Sequence, residues 1–468
     1  MKSSAIKMIT VGALLAVAAA PARCHEIGPQ SPNLTAEVKA GEAPPAPRGS
    51  ESMPLPPVTP PTEDGQLTLS EAESLATSFH PALREAEARV RAAHGNWVQV
   101  GLGPNPAIGY AANEVGDEGR AGQQGVILSQ EFVTGGKLDL NRAVAMREQA
   151  EAEQRFAQVR FQVLTTVRTY YFECLAAERA VAMAKQLNEI AAQSQSVSER
   201  RLKAMDVPKT SVLQSQIESE SAALLEQQAT ERYEAARRRL ATAIGNSNQA
   251  PPKLEDVFAR PLPELDFATI NENMMQNSPE LAELRFAVDR ARWAVQRANA
   301  GRKQNVNLQV GAQYDYATQD PIANVQLSVP IPVYDRNQGA IAQACGKLAA
   351  AQAAMEAREL AIQQRLAIAI RDYKTARERV GKYTEKILPA AKESLDMINL
   401  GYQQGEIDYT QVYNVQQTYA AKNLSYLQDL ELAWREWAEI DGFLLGDVSS
   451  AAVDRNAQAP ENTEIRRY

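Results

Sequence analysis

Few side chains in this 468-residue chain have the type and spacing that chemistry requires. Gly135-Gly136-Lys137 invites a phosphate-loop reading, but Leu138 follows and the upstream glycine spacing is missing. Histidine occurs only at 25, 80 and 94, and cysteine only at 24, 174 and 345, with no metal-ligand spacing among them. Met274-Met275 could tempt a copper argument, yet a methionine pair at a helix end is ordinary packing. Ser70 with Glu73 reads as a capping box. No nucleophile and base stand at a recognisable spacing, so neither an enzyme nor a cofactor is expected. What remains is fixed charge at two short turns: Asp206 in Ala204-Met205-Asp206-Val207-Pro208, and Glu406 with Asp408 in Gln404-Gly405-Glu406-Ile407-Asp408. Charge there reads as solvated turn residues, with Asp206 or Asp408 free to cap the helix that follows.

The elements that position these turns are written twice. Each half opens with an amphipathic helix holding an x-Pro dipeptide, His80-Pro81 and Ser278-Pro279. Two short alternating strands follow, then a very long helix, a tight turn and a returning helix. Pro81 and Pro279 lie 198 positions apart, Leu128 and Leu327 199, and Met205 and Gly405 200. A register held this closely marks a duplicated unit, 67–245 and 265–445, joined by a proline-bearing linker over 246–264. The long helices are expected from about Lys137 to Leu202 and from about Ala340 to Leu400, each roughly 90–100 Å. Leu366, Ile370, Tyr373, Val380, Tyr383 and Ile387 continue to Tyr402 in coiled-coil steps, and Pro389 should kink or locally break that helix.

The strands carry the strongest local signal. Val306, Leu308, Val310, Ala312, Tyr314 and Tyr316 share one face, while Asn307, Gln309, Gly311, Gln313 and Asp315 share the other. Val325, Leu327, Val329 and Ile331 repeat the alternation, as do Ile108, Tyr110 and the run Val126 to Phe132. The hairpins are expected over 105–132 and 306–332. Strands of this length suit a tilted membrane crossing, and the terminal tyrosines suit an interfacial girdle. Four strands cannot cross alone, because open edges would leave backbone groups unbonded in lipid. Three copies would supply twelve.

Residues 1–22 read as an export signal: Lys2 and Lys7 precede a short apolar core that ends at Ala20-Pro21-Ala22. Its removal takes the net charge from −8 to −10. Basic residues are dispersed, which speaks against nucleic-acid binding. Cys24 stands where a lipid can be attached, although Arg23 replaces the usual small residue before it. Residues 23–66 are a proline-rich extended tail, and 446–468 a disordered one. In the repeat frame Cys174 and Cys345 lie too far apart along the axis to bridge, and both read as small buried side chains.

Leu67-Thr68-Leu69, His80-Pro81-Ala82-Leu83, Gly135-Gly136-Lys137, Ile387-Leu388-Pro389-Ala390 and above all Val329 to Gly339 (VPIPVYDRNQG) carry a resemblance. From Leu67 to Leu445 the chain resembles the TolC-type outer-membrane efflux proteins, and within them the channels of heavy-metal (cobalt–zinc–cadmium) resistance pumps. The resemblance implies a mainly α fold with a small β part: a homotrimer with a twelve-stranded barrel in outer-membrane lipid and a long α-barrel in the periplasm. It implies a passive duct, supplied by a periplasmic adaptor and an inner-membrane pump of the proton-driven resistance-nodulation-division type. The tips, Met205 to Pro208 and Gly405 to Asp408, would meet the adaptor. At the constriction, Tyr402 matches the family's gate tyrosine. The family's arginine position falls on Ile407, its acidic rings on Gln411 and Asn414, and the first-tip acidic partner on Ser211. The expected gate is therefore held by packing and neutral hydrogen bonds, with acidic charge displaced to the rim. A drug-efflux or type I secretion channel of the same fold, or a periplasmic coiled-coil scaffold, stays open as an alternative.

Overall fold

The computed structural model describes residues 66–116, 121–245 and 251–444. The export signal, the tail with Cys24 and the C-terminal segment 446–468 lie outside the described residues. Helices dominate. Helix α1 (Leu69–Phe79) and α2 (Pro81–Val100) precede a hairpin of β1 (Ala107–Gly116) and β2 (Ala121–Phe132). Then come α3 (Lys137–Lys203) and α4 (Lys209–Ile244). The second half repeats the order with α5 (Phe267–Asn277), α6 (Pro279–Ala300), β3 (Val306–Asp315), β4 (Asp320–Ser328), α7 (Gln338–Lys382), α8 (Leu388–Gln404) and α9 (Tyr409–Asp441).

Two local expectations are corrected. The opening helix of each half is two helices, because a residue before proline is pushed out of the α region. His80 (ψ 124°) and Ser278 (ψ 122°) are extended, and each proline starts the next helix where a missing N–H costs nothing. The first capping box is Thr68 with Glu71, whose side chains and backbone N–H groups bond reciprocally at 3.2 and 2.9 Å. Glu73 instead accepts from Arg168 Nε at 2.5 Å. At Pro389 the α ladder is locally interrupted, and α7 passes into α8 through a widened turn. This π-helical turn, Tyr383–Ile387, lies directly ahead of the proline and widens the ladder where the proline ring would meet the carbonyl of Glu385.

Between strands and tips the helices pack around two large apolar clusters and a smaller one of Leu187, Leu395 and Tyr419. In one, Phe172 meets Phe258 and Trp434, and the Tyr171 hydroxyl lies 2.9 Å from the carbonyls of both Leu67 and Glu255. Leu67 and Leu254 form a parallel bridge, and Leu254, Val257 and Phe258 are buried in this cluster, so the connecting segment is anchored to the core. In the other, Met274 is buried against Leu281, Ile362, Leu366 and Tyr373, which gives that methionine its packing role. Cys174 is buried and free, and burial pushes its thiol up to about 12. Cys345 departs from expectation: it is half-buried and disulfide-bonded.

The four strands form one antiparallel sheet in the order β1-β2-β3-β4. Register aligns the apolar residues into rows across it. Ile108, Leu128, Val310 and Val325 are consecutive cross-strand partners, as are Tyr110, Val126, Ala312 and Ala323. This face is uncovered: Ile108 is 79% and Val325 70% exposed. The opposite face carries Gln123, Ser129, Gln309, Gln313 and Gln326, with Gln313 buried. Strand β4 ends at Ser328, two residues before Pro330, so Val329 and Ile331 continue beyond the ladder.

Candidate gate at the hairpin tips

At its far end each long helix closes with the same arrangement. The N–H of Asp206 bonds the Arg201 carbonyl and that of Met205 the Leu202 carbonyl; Glu406 and Gly405 bond Gly401 and Tyr402 in the same way. This ending needs one left-handed residue, which is Gly405 (φ 85°) at the second tip and Met205 (φ 64°) at the first. Met205 therefore points into solvent, 92% exposed. Pro208 is extended ahead of α4, while the Asp408 carboxylate accepts from the Thr410 N–H at 3.2 Å and caps α9. Hydrogen bonds from Thr410 hold the Asp408 carboxyl below the usual carboxylate range. Asp408 is thus a helix cap, whereas Asp206 and Glu406 stand exposed at the rim.

Above the second tip Tyr402 is buried, packed edge-to-face on Tyr409 with ring centroids 5.7 Å apart, and Val412 completes the cluster. Its hydroxyl lies 2.6 Å from Ser198 Oγ on α3. Ser198 already donates to the Ser194 carbonyl at 2.9 Å, so Tyr402 is the donor. Gln416 Nε2 of α9 donates to Ser194 Oγ at 3.2 Å. These links cross from one hairpin to the other through neutral groups.

A cation joins them from an unexpected side. The Arg201 guanidinium of α3 sits 5.2 Å from the Tyr402 ring centroid and donates to the Tyr402 carbonyl at 3.4 Å. A positive charge over an aromatic face and at a helix C-terminus is favoured on both counts. Ile407, at the position where an arginine was anticipated from the resemblance, instead lies against Gly401. A Cβ built on Gly401 would stand 2.4 Å from Ile407 Cδ1. The repeat register held the clue to Arg201: residues about 200 apart stand at one height when the hairpins pack side by side.

The other anticipated positions separate. Gln411 and Asn414 lie on the exposed face of α9, away from Tyr402, while Ser211 is buried on α4 in line with Ser215 and Glu218. Arg200 and Arg201 also line an open groove of about 540 Å³ between α3 and α8, together with Gln193, Ser196, Val197 and Gln403. Among the described residues no group of metal-ligating side chains is assembled, and no helix is long and apolar enough to cross a membrane.

Comparison with known proteins fits this architecture. The chain is 25% identical to the cobalt-zinc-cadmium resistance protein CzcC of Cupriavidus metallidurans, over 83% of this chain and 92% of that one. Its fold matches that of CusC, described for its folding and transmembrane channel formation, with a TM-score of 0.69, 16% identity and coverage of 81% and 92%. The outer membrane protein VceC of Vibrio cholerae matches with a TM-score of 0.67, 16% identity and coverage of 81% and 96%. A family model, Outer membrane efflux protein, matches residues 73–246 and 271–441, one stretch in each half of the chain. The chain therefore belongs to the outer membrane efflux protein family, and it is an outer-membrane channel protein and not an enzyme.

Proposed function

We propose that three copies of this chain close a twelve-stranded barrel in the outer membrane, continued through the periplasm by an α-helical barrel, as the passive exit duct of a tripartite efflux pump. The observation that carries this is the sheet: one face is apolar and uncovered, and β1 and β4 have free edges. In lipid a free edge leaves N–H and C=O groups unbonded, and natural barrels need at least eight strands. Pairing β4 of one copy with β1 of the next satisfies both demands. Helix α3, with 67 residues, gives the duct a reach of roughly 100 Å.

The cargo we propose is heavy-metal cations, supported by the similarity to CzcC. A passive duct supplies no energy, so transport is driven by an inner-membrane pump, here one of the proton-driven resistance-nodulation-division type. A periplasmic adaptor seats on the tips at Met205 to Pro208 and Gly405 to Asp408. The Ser198–Tyr402–Arg201 cluster, reinforced by Gln416, holds the duct closed.

Detergent-purified protein is expected to have a trimeric mass and to give discrete conductance steps in planar bilayers, larger when Tyr402 is changed to Ala. A monomeric, water-soluble mass with no conductance in either protein would return the reading to a coiled-coil scaffold. For the cargo, co-expression with a metal pump and adaptor in a channel-deleted bacterium is expected to restore growth on zinc, cobalt or cadmium. Restored drug tolerance without metal tolerance would assign the duct to a drug pump instead.

A further inference from the structure

One buried acid between the hairpins takes no part in the Tyr402 cluster. Glu218, on the inward face of α4, is only 9% exposed. Its carboxylate accepts one hydrogen bond, from Gln417 Nε2 of α9 at 2.9 Å. Among the described residues it forms no ion pair. The titratable group facing it is Tyr409 of α9, whose buried hydroxyl finds no hydrogen-bond partner. The other buried polar groups of this stretch are neutral: Ser194 and Ser198 of α3, Ser211 and Ser215 of α4 and Gln416 of α9. Arg201 of α3 is turned to Tyr402 and Asp408 instead.

A carboxylate taken out of water without a cation is costly, and a single amide donor compensates only part of that cost. The neutral acid fits this site far better. Burial accordingly raises the Glu218 carboxyl above the usual range, with the Gln417 bond opposing. The only ways to hydrate an ionised Glu218 are to admit water between α4 and α9 or to part them. The Gln417 link and a longer Arg232–Glu431 pair at 3.5 Å are the polar ties between those two helices, so the seam is lightly held.

We propose that Glu218 is a proton-operated latch between the two helical hairpins: protonated, it keeps the α4–α9 seam dry and the tip closed; ionised, it favours their separation. This rests on the reading that the hairpins part when the duct opens. No covalent step is involved, and the proton exchanges with periplasmic water. Acid therefore closes the duct, and its removal eases opening.

The test is single-channel recording of the full-length trimer between pH 5 and 8. Open probability of the wild type is expected to rise about tenfold or more over that range, which is a difference of one pKa unit between the closed and open forms. Glu218→Gln should stay at the wild-type acid level throughout. Gln417→Leu, which removes the one donor to the carboxylate, should move the response to higher pH without abolishing it. A flat wild-type profile overturns the latch, as does a Glu218→Gln profile that still follows the wild type. Tyr402→Ala separates the two readings: if it conducts while Glu218→Gln keeps the wild-type response, the latch fails and the duct stands. If Tyr402→Ala is silent at every pH, the duct reading fails and takes the latch with it.

Discussion

Tyr402 is held by one hydroxyl hydrogen bond and one cation, both from the opposite hairpin. Tyr402→Phe keeps the ring and removes only the bond to Ser198, whose own proton still reaches the Ser194 carbonyl. The expected loss is about 1 kcal/mol of closure, several-fold in open probability. Arg201→Ala should cost about the same through the aromatic face, and the two effects should be less than additive because both act on one side chain. A double-mutant cycle on conductance measures this. Gln411→Asp is expected to increase cation selectivity; an unchanged reversal potential would remove that position from the constriction. His80 offers a different readout. Its Nδ1 accepts from the Ala82 N–H at 3.2 Å and caps α2, and burial lowers its pKa. The unfolded chain then binds the proton more readily, so the stability His80 contributes is present above the ordinary value of 6.5 and is lost as pH falls below it. His80→Asn keeps a capping side chain, and its melting temperature should fall less than that of the wild type between pH 7.5 and 5.

At the scale of the element, the second tip depends on a glycine within a helix. Gly401→Ala would drive Ile407 from its seat, with an expected cost of about 1–3 kcal/mol to the tip. Hydrogen exchange at the N-terminus of α9 is expected to accelerate, with α3 unaffected. Long elements were the most legible in sequence, because periodicity over dozens of residues averages out local ambiguity. The helix expected from Lys137 to Leu202 runs Lys137–Lys203, and the alternation from Val306 marks β3. Punctuation was less legible. His80-Pro81 and Ser278-Pro279 were visible, yet periodic apolar residues on both sides hid the division into two helices. The π turn ahead of Pro389 could not be foreseen, since a widened ladder leaves no mark in composition. Arg201 and Glu218 were hidden for another reason. Each meets a partner about 200 residues away, and spacing along one helix says nothing about which hairpin lies opposite.

At the scale of the molecule, duplication sets the geometry. Two hairpins of equal length place the first and second tips at one level, so on the proposed reading small contacts between them govern that end of the duct. The sheet at the other end obeys the same economy: each half contributes two strands, and β2 pairs with β3 across the two halves over ten consecutive positions. The outer strands have no such relief. If β1 and β4 each pair with a neighbouring copy, as proposed, one faulty subunit spoils the two sound ones that enclose it. A cell making equal amounts of an intact chain and one with a ruined β1 edge would then keep only about an eighth of its assemblies whole, the cube of one half for random mixing into threes. Damage to this gene should accordingly behave as dominant.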